Sequence, residues 1–329
     1  MQDIDQKASS SLFEQGFINE EQLNEIKSYR ARNIFSLNAE LKLFLYFSVT
    51  LFTTGIGLLI YDYIDTIGHS VLLGLVLILM FVCYYFSFKK APKFEKTKTE
   101  FESPVMEYIV LTANLLTCIF IGYLQVQYTA FGTHYGLVTI IPTVIGLFSA
   151  FYFDNKNVLS LSITGLAAYI GLTVTPQSIL QNEIYTTTAL SFAALALGAV
   201  LLAWNFYCKK ANFKTHFSFI YLTFAQHLIG ISCLNNLIYQ ENYLLFIPVL
   251  AAVTYYFYHL SYTLKSISLF IFTLIYGFVG FNICFFTIID KIDLDEFWEF
   301  LLVLSPLYTI GMLWLFVQMI KNFNTEIKK

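Results

Sequence analysis

Charge is what this chain has least of: Asp, Glu, Lys and Arg together make up 12% of its 329 residues, where a soluble domain carries about a quarter. So few charges cannot cover the surface of an ordinary soluble fold. Cysteine is scarce too. Cys83, Cys118, Cys208, Cys233 and Cys284 show no C-x-x-C spacing and lie in or beside apolar runs, which reads as small core or lipid-facing residues in preference to a redox or metal role. The sequence holds no H-E-x-x-H, no G-x-S-x-G, no paired intramembrane aspartates and no Walker loop, so no particular reaction is indicated and neither a metal nor a cofactor is expected. The basic residues are divided among short segments beside apolar runs, which argues against nucleic-acid binding. A cleavable signal peptide is not expected either, because a largely polar stretch precedes the first apolar run and that run is too long for a signal h-region.

Apolar residues are abundant: 57% of the chain is hydrophobic and 18% aromatic, with a mean hydropathy of +0.65. The first run, Leu41 to Tyr61, would form a helix of roughly 31 Å, the thickness of a hydrocarbon core. Its Leu, Ile, Phe and Val residues favour insertion by at most about 5 kcal/mol. Nine further spans read as Ser70 to Phe88, Val105 to Leu124, Tyr135 to Phe153, Val158 to Thr175, Tyr185 to Tyr207, His216 to Tyr239, Tyr243 to Tyr262, Ile267 to Ile289 and Phe300 to Ile320. The expected architecture is all-α and polytopic: ten transmembrane helices in five hairpins over 41–320, an N-terminal cytoplasmic helical hairpin over 1–40 and a cytoplasmic tail over 321–329. With the N-terminus inside, eighteen of the nineteen Lys and Arg fall on the cytoplasmic side and only Lys291 outside, as the positive-inside rule requires. That places both termini in the cytoplasm, with the lipid bilayer as the chain's first partner.

The inner ends of the even-numbered spans repeat an aromatic cluster backed by lysine: Tyr84 to Phe86, Phe151 to Phe153, Trp204 to Tyr207 and Tyr255 to Tyr258. These read as headgroup-level belts. In the N-terminal stretch, Gly16 is placed to end a short helix, and Asn19 with Gln22 forms a capping box for the next. The run Leu12 to Gln22, followed by a charged helix and a first span containing Thr54-Gly55-Ile56-Gly57, resembles the start of the bacterial membrane proteins grouped as domain of unknown function 2157. The resemblance implies a membrane topology, in a bacterial inner membrane, and brings no catalytic residues.

Polar residues at bilayer depth are the candidates for function, because they are costly there and turn toward the bundle interior. His227 lies midway along its span beside Gln226, with Asn235 and Asn236 further out. Asn282 and Asn114, on spans nine and three, are the expected polar partners, and Glu107 lies one turn into span three. Gly165, Ala168 and Gly171 on span five, and Ala189 to Ala203 on span six, form small-residue faces that mark these spans as a packed centre. Gly55 with Gly57, and Gly277 with Gly280, are expected to allow close approach in the same way. The last outer connection, Asp290 to Glu299, is an acidic interfacial turn. His69, His134, His216 and His259 read as interface anchors.

The leading expectation is a non-enzymatic membrane protein passing a small solute or ion along a pathway of Gln226, His227, Asn235, Asn282, Asn114 and Glu107. One alternative is a scaffold or sensor recruiting a cytoplasmic protein through residues 1–40. The other is an intramembrane enzyme acting on lipid.

Overall fold

In the computed structural model, which describes residues 12–13, 15–31, 37–174, 188–239, 243–292 and 295–327, the apolar runs are helices. Eleven α-helices are labelled in chain order: α1 (Glu20–Ala31), α2 (Leu37–Ile67), α3 (His69–Lys90), α4 (Pro104–Tyr128), α5 (Tyr135–Tyr152), α6 (Lys156–Val174), α7 (Thr188–Lys210), α8 (Ser218–Tyr239), α9 (Phe246–Thr263), α10 (Ile267–Ile292) and α11 (Asp295–Glu326). Helices α2 to α11 coincide with the ten expected spans. Among the described residues, eight are long and apolar enough to cross a membrane. The other two are α6 and α9, of 19 and 18 residues.

The chain divides into two compact units, residues 1–54 and 55–329. In the first, the backbone bonds Phe17 N to Leu12 O and Gly16 N to Phe13 O measure 2.9 and 3.0 Å, with Gly16 at φ +76°. This is a Schellman stop, and the left-handed conformation it needs costs glycine least. Asn19 and Gln22 then bond reciprocally, Gln22 N to Asn19 Oδ1 at 2.8 Å and Asn19 N to Gln22 Oε1 at 3.0 Å, which is the expected capping box. Asn19→Ala should therefore cost α1 about 1 kcal/mol, seen as faster hydrogen exchange of the amides of residues 20–23. The part of the hairpin before Leu12 lies outside the described residues.

In the second unit, apolar stripes select neighbours. Leu72, Val76 and Met80, spaced four apart on α3, bury against Leu116 of α4, whereas Val71, Leu75, Ile78 and Phe81 of the same helix are exposed. Such a face would drive aggregation in water, but a bilayer solvates it. The closest neighbours are α3 with α4, α5 with α6, α7 with α8 and α9 with α10. The hairpins are thus the ones closed by the lysine-bearing connections, and α11 packs on α10 beyond them.

The small-residue faces do not make α6 and α7 the centre of each other's packing. Helix α6 packs chiefly on α5 and α7 on α8, with a lesser contact between them. The seam of α5 and α6 is reciprocal: a Cβ on Gly165 would stand 2.2 Å from Thr143 Oγ1, and one on Gly146 would stand 2.3 Å from Ser162 Oγ. Gly280 likewise seats Leu250, whereas a Cβ on Gly55 or Gly57 would meet no described atom within 4 Å. The aromatic belts are also divided. Tyr85, Phe206 and Tyr255 are exposed, while Phe153 and Phe257 turn inward and are buried. The centre of the last outer connection, residues 293–294, lies outside the described residues.

Candidate functional site

The polar residues singled out in the sequence fall into separate places. On α8, Gln226 is buried and its Nε2 donates to Leu269 O at 2.9 Å and Thr273 Oγ1 at 2.8 Å, both on α10. His227 Nδ1 lies 2.7 Å from the Tyr276 hydroxyl, and its ring meets Phe272 edge to face at 4.4 Å. Gly230 makes this approach of α10 to α8 feasible, since a Cβ there would stand 2.8 Å from the Tyr276 ring. The void beside this cluster is about 10 Å³, the space of one water. Further along α8, Asn236 is the residue that bonds across, its Nδ2 lying 2.8 Å from Ser191 Oγ of α7, while its neighbour Asn235 is half-buried. Asn282 accepts from the Tyr308 hydroxyl of α11 at 2.8 Å. These bonds hold α7, α8, α10 and α11 together.

Asn114 stands elsewhere, halfway along α4, facing a cavity of about 290 Å³ walled by α4, α5 and α6. Its Nδ2 donates to Val110 O at 2.9 Å. That bond fixes the amide orientation, because the flipped amide would set oxygen against oxygen. The Oδ1 is then left buried without a partner, a costly state that calls for a donor. A Cβ built on Gly146 would be 2.3 Å from Ser162 Oγ and 3.4 Å from Asn114 Oδ1, so both oxygens converge over a bare glycine. Pro142 lies in the same wall. It lacks an N–H and cannot pair with the carbonyl of Val138, which also lines the cavity. The remaining hydroxyls bond to their own helices: Thr139 to Gly136 O at 2.9 Å, Thr143 to Thr139 O at 2.6 Å, Ser162 to Val158 O at 2.8 Å and Thr164 to Ser160 O at 3.0 Å. Among the described residues no charged side chain lines the cavity, and Thr164 and Ala168 are exposed at its α6 edge. The polar groups of α4 therefore do not converge with those of α8 and α10 on one cavity.

A third cluster was not foreseen in the sequence. At the lysine-bearing end, the side chains of Asp154 and Lys214 are both fully buried, with Lys214 Nζ 2.9 Å from Asp154 Oδ2. The same oxygen accepts from Thr99 N at 2.6 Å and Thr99 Oγ1 at 3.2 Å, and Asp154 Oδ1 pairs with His216 Nε2. Lys214 also donates to Thr97 O at 3.3 Å and lies over the Phe94 ring at 5.2 Å. Its own N–H donates to Lys96 O at 2.8 Å. Next to it, Asn155 caps α6, its Oδ1 accepting from Asn157 N and Val158 N at 3.0 and 3.1 Å. Asn155 Nδ2 reaches the main-chain oxygen of half-buried Glu107 at 2.7 Å. One carboxylate thus ties together three connections, 91–103, 153–155 and 211–217. His216 serves this clasp and is no interface anchor. The sequence signal was an Asp-Asn pair ahead of a helix, but its partners are some sixty residues away in either direction.

Comparison with curated proteins and with solved structures finds no match. Residues 10–159, from the N-terminal stretch through α5 and into α6, match the model of a family described as predicted membrane protein (DUF2157), so the likeness seen over the N-terminal stretch and first span extends as far as the Asp154 turn.

Proposed function

We propose that this membrane protein passes a small solute, with the cavity between α4, α5 and α6 as the holding site and Asn114 as its principal polar contact. The supporting observation is the contrast in room: about 290 Å³ beside Asn114, against about 10 Å³ beside Gln226 and His227. A holding site needs space and a polar group awaiting a partner, and Asn114 Oδ1 is one. His227, Gln226 and Asn282 are assigned to interhelical bonding, and neither Asn235 on α8 nor Glu107 in the first turn of α4 lines the cavity. Proteoliposomes holding the full chain, loaded with the small-molecule fraction of a bacterial extract, should release a subset of solutes faster than empty liposomes. Asn114→Leu should abolish the difference, whereas unchanged release would end this reading.

The proposal places the chain in a bacterial inner membrane with both termini cytoplasmic. In a cysteine-free background, a membrane-impermeant maleimide applied to intact cells should label His134→Cys and spare Lys93→Cys. The opposite pattern would invert the threading. A second reading has one observation in its favour: Leu12, Phe13 and Phe17 are exposed in the N-terminal unit, as a docking surface for a cytoplasmic protein would be. Deleting residues 1–35 should then abolish function while membrane insertion persists.

A further inference from the structure

We infer that the α4–α6 cavity selects uncharged molecules that donate a hydrogen bond, because its walls offer oxygen acceptors in excess and carry no charge. This deepens the solute-passage reading above and rests on it. The hydroxyl protons of Thr139, Thr143, Ser162 and Thr164 are each given to a carbonyl of their own helix, as is one N–H of Asn114. What these groups present to an occupant is lone pairs, together with the buried Asn114 Oδ1, which has no partner. Among the described lining residues, the side-chain donors that stand against these acceptors are the second N–H of Asn114 and the Cys118 thiol, a weak donor.

An acceptor-only ligand would set oxygen against oxygen over Gly146, leaving Asn114 Oδ1 as unsatisfied as when the cavity holds no partner. A carboxylate or phosphate meets the same lone pairs with a full negative charge. An ammonium finds acceptors but no counter-charge, since none of the lining side chains is ionised, and desolvating it uncompensated is heavily unfavourable. An alcohol or amide N–H satisfies Asn114 Oδ1 at no such cost. The apolar body of the ligand would lie against Val138, Pro142, Leu161 and Ala168. A cavity of about 290 Å³ is about twice the size that holds benzene, so it has room for an occupant of about nine to fifteen heavy atoms. Exposed Thr164 and Ala168 mark the α6 edge as the mouth, which suits an amphipathic molecule arriving through the bilayer.

The test is equilibrium binding of four probes to the full chain in lipid nanodiscs, with empty nanodiscs as the blank: phenethyl alcohol, its methyl ether, phenethylammonium and phenylacetate. The alcohol should bind about tenfold tighter than the ether, the worth of one buried hydrogen bond, and neither ion should bind. Asn114→Leu should erase the preference of alcohol over ether. Equal binding of alcohol and ether to the wild-type protein would overturn the donor rule and leave the holding site standing. Binding of none of the four would overturn both.

Discussion

Asp154→Asn should destabilise the detergent-solubilised protein by about 3–5 kcal/mol, the cost of leaving a buried charge without its partner. Asparagine is the informative replacement. Asp154 sits at φ +59°, a left-handed conformation that Asn tolerates nearly as well as Asp, so backbone strain contributes little to the difference. The change instead leaves the Lys214 ammonium, fully buried, facing a neutral amide. Thr99 N and His216 lose a charged acceptor in the same step. Lys214→Met alone should do similar harm by isolating the carboxylate, and the two changes together should cost clearly less than their sum, because the pair is then removed as a pair. Thermal unfolding midpoints of the wild type, the two single variants and the double variant supply the cycle. Strict additivity would show that Asp154 and Lys214 are near each other without being coupled.

Gly165→Val should be the second most damaging change, at about 1–3 kcal/mol from overpacking. The first carbon added at Gly165 already falls 2.2 Å from Thr143 Oγ1, so α5 must retreat from α6 along their closest seam. Gly146→Val meets Ser162 from the other side and should act alike. Gly57→Val, on an apolar helix but with no described atom within 4 Å of the new Cβ, is the control and should change the midpoint little. Since Gly146 and Gly165 also line the Asn114 cavity, both damaging variants should reduce phenethyl alcohol binding as well, while the Gly57 variant leaves it unchanged.

The near agreement of α2 to α11 with the ten spans shows how readily a membrane chain's helices can be read. With no water to satisfy peptide groups in the hydrocarbon region, a long apolar run has to close its own hydrogen bonds. The capping box of Asn19 and Gln22 and the Gly16 stop were legible for a related reason, since each is made by residues only a few positions apart. Asn114, Gln226 and His227 were legible as exceptions, polar groups in apolar runs. Their separation into two places was not. Nothing local to α4 says that Asn114 faces α5 and α6, or that His227 finds Tyr276 forty-nine residues later.

The sequence by itself determined the ten spans found as helices among the described residues and the sorting of lysines to alternate connections, because hydropathy, helix length and capping act within one segment. Which helices pair, that Gly165 serves Thr143 on α5 rather than an alanine on α7, and that Asp154 gathers Thr99, Lys214 and His216, were decided only by the tertiary structure. In a bilayer the lipid-facing and protein-facing surfaces of a helix are almost equally apolar, so the pattern that betrays a core face in water is faint. Partner choice rests instead on shape at single glycines and on polar groups that find one another across the fold.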